Sequence, residues 1–296
     1  MHRSLIIGLR GRQLEAEERH WLCERPPLGI ILFARNIHSA GQVQALLAEV
    51  REATGQATWA AIDEEGGRVN RLPWEPFSGR RHAAEYGEMF RADPGAARQA
   101  VFDDNRRVGE ALAGLGFTHN CAPDLDVFHP DGHGIIGRRA YSGDAAVVAE
   151  LGAACLRGLA AAGIEAVGKH FPGHGRANAD SHVAIPEADA PLATLLAEAE
   201  PFRRLIDAEL AHIMTAHVIY PQVERQVATL SPFWLNDVLR RRFGFAGRIW
   251  SDDLCMKGVG TSVSGAARQA LAAGCDTLLV CEPDGAAEIY GAMEHP

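Results

Sequence analysis

Residues 144–170 read DAAVVAELGAACLRGLAAAGIEAVGKH, and they contain one complete unit of the fold. The first part has the apolar spacing of a helix, and Gly163 stands where such a helix should end. The apolar run Ile164–Val167 has the length of a buried strand, and Lys169 and His170 follow it closely. The stretch therefore predicts a helix, a turn and a buried strand with charged side chains at its carboxyl end.

The same unit recurs along the 296 residues. Short runs rich in Ile, Val and Leu alternate with helical patterns, which predicts a parallel sheet covered by helices. The runs are Leu5–Leu9, Gly29–Phe33, Thr58–Ile62, Phe117–Ala122, Ile164–Val167, His212–Ala216, Arg248–Trp250 and Thr277–Val280. They predict an α/β protein, a (β/α)₈ barrel of the TIM type in a single domain, 1–296. A doubly wound open sheet is the alternative, but no G-x-G-x-x-G follows the first run.

Composition restricts the classes of partner. The net charge of −9 argues against nucleic acid and anionic membranes, which select for basic surfaces. No apolar stretch reaches the length of a membrane span, and the apolar N-terminal run is short enough to be a first strand rather than a signal peptide. The cysteines are widely spread, without a C-x-x-C pair. We therefore expect a cytoplasmic, monomeric protein that is not inserted in a membrane.

Polar residues follow most of the predicted strands. Active sites of such barrels lie at the carboxyl ends of the strands, so these residues should converge on one mouth. They are Arg35-Asn36, Asp63-Glu64-Glu65, Asp124, Asp126, Lys169-His170, His217, Ser251-Asp252-Asp253 and Glu282. The connection from Gly66 to about Pro94 is long for this fold, and its Arg and aromatic residues either wall a cleft or pack over the barrel rim.

Residues 169–182, KHFPGHGRANADSH, place ionisable groups among glycine and proline. They predict a long mobile catalytic loop at about 171–186. A carboxylate such as Asp180 stabilises the cationic form of a nearby histidine and fixes its tautomer. The Asp180-x-His182 pair is thus a candidate general acid and base carried by a loop that closes over substrate. The alternative is a helix cap beside a solvated histidine.

Two adjacent carboxylates follow the seventh run. Neighbouring strand residues point to opposite faces, so only one of Asp252 and Asp253 can face the mouth. The other is expected to cap the next helix or to hydrogen-bond the loop. At the mouth, a carboxylate such as Asp252 serves as a nucleophile, a metal ligand or a structural acceptor, and its position alone does not decide between these roles.

Several motifs occur in order along the chain: ILFARN (31–36), IDEEGGRVNR (62–71), APDLDV (122–127), IGRRAY (136–141), KHFPGHG-x4-DSH (169–182), MTAHVIYP (214–221), SDDL (251–254) and AGCDTLLVC (273–281). Together they resemble glycoside hydrolase family 3, and within it the single-barrel bacterial β-N-acetylglucosaminidases of peptidoglycan recycling. The resemblance covers almost the whole chain.

The resemblance implies a retaining exo-acting β-N-acetylglucosaminidase that uses no cofactor and no metal. Its substrate would be a small carbohydrate, the N-acetylglucosaminyl-anhydromuramyl peptides of the cell wall. Asp252 would be the nucleophile and His182 the general acid/base, with Asp180 as the partner of His182. The residues implied in binding the nonreducing-end sugar are Asp63, Arg71, Arg139, Lys169 and His170.

Other functions are compatible with the same residues. A metal-dependent hydrolase would use His170, His174, His182 and Asp252 as ligands, although Pro172 and Gly173 disfavour the helix that the His170–His174 spacing requires. An aldolase would use Lys169 as a Schiff-base nucleophile. A sugar-binding barrel without catalysis, and a phosphorylase that uses phosphate in place of water, are the remaining alternatives.

The chain also departs from the family pattern. Glu64 stands where relatives often have Gln, and Arg138 and Ala140 flank Arg139 where an acid and a serine are common. Asp124 stands at a position that is usually apolar. The roles of Asp124, Asp253 and His174 stay open at this point.

Overall fold

Eight parallel strands close into a barrel. The computed structural model describes residues 1–181 and 183–294, with the main chain alone at 294. The barrel strands are β1 Leu5–Gly8, β2 Gly29–Leu32, β3 Trp59–Ile62, β4 His119–Asn120, β5 Glu165–Phe171, β6 His212–Thr215, β9 Arg248–Asp253 and β10 Thr277–Val280, and a separate antiparallel hairpin is formed by β7 Ile219–Tyr220 and β8 Glu224–Val227. Each barrel strand pairs with the next one in the chain, and β10 pairs with β1. The predicted barrel and all its strands are confirmed.

The strands are apolar because both of their faces are buried. Their outward side chains pack under the helices, and their inward side chains fill the barrel. The inward cluster consists of Ile6, Ile31, Ala61, Cys121, Val167, Met214, Trp250, Leu279 and Cys281. At the amino-terminal end, the Trp59 and His119 rings are in tilted contact with their centroids 4.2 Å apart, and the His119 ring lies 5.0 Å from that of His212. These rings fill that end of the barrel.

Helices cover the outside of the barrel. They are α1 Ala16–Glu24, α2 Ala40–Thr54, α3 Ala83–Ala92, α4 Pro94–Leu115, α5 Ala145–Ala161, α6 Leu192–Glu198, α7 Glu200–Asp207, a π-helix Phe233–Arg242, α8 Val263–Ala273 and α9 Pro283–Glu294. The expected turn after α5 is confirmed by Gly163, whose φ is 75°. Among residues 1–181 and 183–294, no helix has both the length and the apolar character that crossing a bilayer demands.

The long connection after β3 contains a helix that the sequence did not reveal. Helix α3 lies within the 66–94 segment, and Gly87 weakens the helical pattern there. This glycine packs against the carbonyl of Tyr141, and a Cβ atom would collide with that oxygen. Helix α3 therefore packs closely on the turn that carries Arg139, which lies in the short 3₁₀ helix Gly137–Arg139.

Candidate active site

The carboxyl ends of the strands surround a pocket of about 570 Å³. Its polar wall contains all five predicted sugar-binding residues and the predicted nucleophile: Asp63, Arg71, Arg139, Lys169, His170 and Asp252. Met214 and Leu279 of the inward cluster also line the pocket. The residues predicted at the strand ends are divided by the structure. Those that line this cavity are Arg35, Asp63, Lys169, His170, Asp252, Asp253 and Glu282, and those that do not are Asn36, Glu64, Glu65, Asp124, Asp126, His217 and Ser251.

Lys169 is the centre of a buried ion-pair network. Its Nζ lies 2.6 Å from Asp63 Oδ1 and 2.7 Å from Glu65 Oε1. Burial opposes the charged amine, but the two carboxylates outweigh burial and raise the pKa of Lys169 above its usual range. Lys169 is therefore an ammonium ion. This charge state argues against the Schiff-base alternative, which needs a neutral amine.

Arg139 shares the carboxylate of Glu65 with Lys169. Its Nε and Nη2 donate to the two Glu65 oxygens at 2.8 and 2.7 Å, and Nε also lies 3.4 Å from Asp124 Oδ2. Although burial acts in the opposite direction, Arg139 and Lys169 lower the pKa of Glu65. The sequence placed Glu65 at the mouth without a role. Asp63 and Glu65 follow the end of β3 and both contact Lys169, so their spacing of two residues after the strand was the available signal.

His170 is oriented by a buried carboxyl group that follows β4. Its Nδ1 lies 2.7 Å from Asp126 Oδ2, and the other oxygen of Asp126 accepts a hydrogen bond from the His174 main-chain N–H at 2.6 Å. Burial, aided by the charge of Arg139, lowers the pKa of His170 to about 4, so its ring is neutral. We assign the tautomer in which Nδ1–H donates to the Asp126 carboxyl group, and this tautomer makes Nε2 of His170 a hydrogen-bond acceptor.

His174 also lies in the pocket wall and is buried. Burial lowers the pKa of His174 to about 4, although the carboxyl group of Asp126 acts in the opposite direction. Its main-chain contact with Asp126 gives this residue a structural role: it helps to fix the group that orients His170.

The adjacent aspartates at the end of β9 have different surroundings. Asp253 Oδ1 accepts hydrogen bonds from the main-chain N–H groups of Cys255 at 3.0 Å and Cys281 at 2.9 Å, and so ties β9 to the end of β10. Asp252 accepts from the N–H of Asp253 at 2.8 Å. Burial opposes its ionisation, but His217 and other nearby groups lower the pKa of Asp252 below its usual value. Asp252 is thus a partly buried, ionised carboxylate in the pocket wall.

The segment that carries the predicted acid/base pair follows β5 and reaches the pocket. Ser181 lines the pocket, and its carbonyl accepts a hydrogen bond from the Gly258 N–H at 2.9 Å. Asp180 is partly buried, and Val183 is 65% exposed. His182 lies outside the described residues, so its place relative to Asp252 stays a prediction.

Among the residues described, three potential metal ligands lie close enough together to share an ion: Asp124, Asp126 and His170. Of the other ligands of the metal-dependent alternative, this group contains neither His174 nor Asp252, and His182 lies outside the described residues. The guanidinium of Arg139 already faces the Asp124 carboxyl group at 3.4 Å. A second cation beside it would be repelled, so the donor set fits a divalent metal poorly.

A closed parallel barrel with ionisable residues converging at the carboxyl ends of its strands is the arrangement of a TIM-barrel enzyme. The chain matches the glycosyl hydrolase family 3 N terminal domain over residues 5–294. It belongs to this family, and it is a glycoside hydrolase.

Individual relatives are similar over nearly the whole chain. A β-hexosaminidase of Bordetella pertussis is 39% identical over 99% of this chain and 84% of its own length. The structure of NagZ from Neisseria gonorrhoeae in complex with N-trifluoroacetyl-D-glucosamine is 35% identical, with a TM-score of 0.91 over 98% of this chain and 84% of that one. The structure of a β-N-acetylhexosaminidase from Beutenbergia cavernae is 27% identical, covers 98% of this chain and 89% of that one, and has a TM-score of 0.87.

Proposed function

We propose that this protein is a retaining, exo-acting β-N-acetylglucosaminidase that removes nonreducing-end N-acetylglucosamine from peptidoglycan fragments. The observation that carries the proposal is the ionised Asp252 in a pocket whose wall also contains the Lys169 and Arg139 cations and the oriented His170. The names of the relatives support the reaction, and the sugar derivative bound in the Neisseria structure supports the substrate class.

The first chemical step is an attack by Asp252 on the anomeric carbon. Ionisation makes this carboxylate nucleophilic, and the bond to the departing oxygen breaks as the glycosyl ester forms. Asp252 attacks from the face opposite the departing oxygen. Water then displaces Asp252 from the face that this oxygen left, so two inversions return the sugar with its original configuration. Because Asp253 is occupied by two main-chain N–H groups, Asp252 is the member of the pair that is available for this step.

We assign the role of general acid and base to His182, with Asp180 as its partner. Protonated His182 would donate its proton to the departing oxygen, and neutral His182 would then remove a proton from the attacking water. We propose that the loop at about 171–186 brings this pair to Asp252 by closing over the sugar. The carbonyl of Ser181 accepts a hydrogen bond from the N–H of Gly258, which lies in the turn after β9. This contact would connect the closed loop to the strand that carries Asp252.

The remaining wall residues are assigned to sugar binding. Asp63 and the Nε2 atom of His170 accept hydrogen bonds from hydroxyl groups, whereas Arg71, Arg139 and Lys169 donate them. The concentration of these groups in one pocket favours a terminal sugar over the middle of a chain, hence the exo action. We propose that the protein works as a cytoplasmic monomer without a cofactor.

The test is hydrolysis of 4-nitrophenyl β-N-acetylglucosaminide. We expect Asp252→Ala to lose activity by about 10⁴-fold or more, as for a deleted nucleophile. We expect a smaller loss for His182→Ala, since nitrophenolate needs little protonation. The anomer formed first, observed by proton NMR, should be β. Near-full turnover by Asp252→Ala, or an initial α product, would disprove the mechanism.

Further measurements separate the alternatives. Loss of activity in a chelator would favour the metal-dependent hydrolase, and inactivation by borohydride with substrate would favour the Schiff base. Formation of the sugar 1-phosphate in phosphate buffer would identify a phosphorylase. A protein that binds N-acetylglucosamine and shows no turnover of the aryl glycoside would be the non-catalytic barrel.

A further inference from the structure

Glu64 lies between two residues of the site but is directed away from them. Asp63 and Glu65 both contact Lys169, whereas the Glu64 side chain is fully buried behind the pocket. The side chain of Asn120 accepts a hydrogen bond from the Glu64 N–H at 2.9 Å and donates one to its carbonyl at 3.0 Å. The main chain at this position is therefore held firmly by β4.

One oxygen of the Glu64 carboxyl group accepts hydrogen bonds, and the other, Oε1, has no hydrogen-bond partner among the described residues. Oε2 accepts from the main-chain N–H of Arg71 at 2.9 Å and faces that of Leu72 at 3.4 Å. Oε1 lies 3.6 Å from Nη1 of Arg80, whose side chain is 2% exposed. An ionised carboxylate fits these surroundings, because its charge is opposed by the Arg80 guanidinium 3.6 Å away, and a protonated acid or an amide would lose that attraction.

The main chain fixed by Glu64 carries Arg71 into the pocket. Its Nη2 lies 3.6 Å from Asp63 Oδ2, and its Cζ lies 5.7 Å from the centre of the Phe33 ring. The buried Nε atom of Arg71 has no hydrogen-bond partner within residues 1–181 and 183–294. The direction in which this guanidinium points therefore depends on the position of the main chain at residue 71.

We propose that Glu64 is a positioning residue: its ionised carboxylate anchors the main chain at Arg71 and Leu72 and thereby presents the Arg71 guanidinium to the sugar. The inference rests on the proposed function, in which Arg71 binds the substrate. It assigns to Glu64 an effect on the affinity for the substrate, without direct contact between Glu64 and the substrate.

The interaction between the Glu64 carboxylate and the main chain at Arg71 should depend on pH in the neutral range. Burial raises the pKa of Glu64 to about 7, and the N–H of Arg71 and the charge of Arg80 limit that rise. The carboxylate is thus present above pH 7 and is lost as the pH falls below it. The charges that face Glu64 are those of Arg80 and Arg71. Behind Arg80 lie Asp104 and Asn105 of α4, at 2.9 and 3.4 Å, and Tyr86 of α3.

The proposal is tested with the aryl glycoside assay from pH 6 to pH 8. In the unmodified protein, KM should rise as the pH falls. Glu64→Gln should show the high KM at every pH, raised about five- to tenfold at pH 8, with kcat nearly unchanged. A loss confined to KM is expected because Arg71 binds the ground state and the transition state alike. Glu75→Gln, the same change at an exposed position of the same segment, is the matched control and should leave KM unaltered.

A second variant keeps the test decisive if Glu64→Gln folds poorly. Arg71→Ala should raise KM and remove its pH dependence between pH 6 and 8, because the anchor then has nothing to position. The inference is overturned if Glu64→Gln is folded and keeps both the KM and the pH profile of the unmodified protein, or if Arg71→Ala retains that profile. Absence of hydrolysis by the unmodified protein would instead refute the proposed function.

Discussion

The ammonium of Lys169 lies 2.6 Å from the carboxylate of Asp63, with the two side chains 3% and 16% exposed. Glu65 contacts the same ammonium at 2.7 Å and is itself bound by Arg139. Ion pairs at such depth are stabilising only as a complete set, since each remaining charge is costly once its partner is removed. The polar wall of the pocket therefore holds a network that tolerates few single changes.

Replacing Lys169 by Met should lower the free energy of unfolding by about 3–5 kcal/mol, because Asp63 and Glu65 lose a buried counter-charge. Urea denaturation at pH 7 measures this loss. Arg203→Met is the control: Arg203 pairs with Glu200 on the surface, with side chains 43% and 36% exposed, and should cost less than about 1 kcal/mol. Equal losses in the two variants would show that the buried carboxylates are not ionised.

Asp126→Asn should reduce kcat/KM by about ten- to a hundredfold, because the amide can present its NH₂ group to His170 and disturb the ring tautomer. Nitrogen NMR of the imidazole should show Nδ1–H in the unmodified protein and a mixture of tautomers in the variant. Asp131→Asn, at an exposed position of the same connection, should alter neither quantity. Unchanged tautomers combined with reduced kcat/KM would mean that Asp126 acts by another route.

The sequence was sufficient to predict the barrel and its mouth, because apolar runs and strand ends are local features. The pocket does bring together residues from 63 to 252 that follow separate strands. The pairing of His170 with Asp126 was not predictable in the same way. The two residues are 44 positions apart and meet only because neighbouring strands place them side by side.

Local packing explains the features that the sequence concealed. Gly87 obscures helix α3 in the sequence, yet it permits close contact with Tyr141. The π-helix Phe233–Arg242 is followed by Gly244, whose φ is 72°. The burial of Glu64 against Arg80 likewise depends on a segment whose path had no sequence signal.

Asp124→Asn should stabilise the protein, and more so at pH 8 than at pH 5. Burial, together with the nearby Asp126, raises the pKa of Asp124 to about 8, far above its value in the unfolded chain. The folded state therefore binds an extra proton between about pH 4 and pH 8, and its stability falls as the pH rises through that interval. Asn resembles the neutral acid and needs no proton, so we expect a gain of roughly 1–3 kcal/mol at pH 8.

Urea denaturation of both proteins at the two pH values measures the gain at Asp124. The opposite result, a loss that is larger at pH 8, would show that Asp124 is ionised and acts as a second counter-charge for Arg139, 3.4 Å away.

His119→Phe should make the protein less sensitive to acid. Burial lowers the pKa of His119 to about 3, with a contribution from the nearby His212, and Nε2 of His119 has no hydrogen-bond partner in the described part of the chain. Below pH 6.5 His119 is protonated in the unfolded chain but stays neutral in the folded protein, so the free energy of unfolding decreases as the pH is lowered. Phenylalanine retains a ring contact with Trp59 and has no proton to gain.

The loss of unfolding free energy between pH 7 and pH 5 should therefore be smaller in His119→Phe, by roughly 1–2 kcal/mol. Urea denaturation at the two pH values measures the difference, and His20→Gln, at an exposed position of α1, should behave as the unmodified protein. Equal acid sensitivity in all three proteins would mean that the rings at the base of the barrel admit a proton without unfolding. Those rings would then not be the closed, dry end of the barrel that their packing indicates.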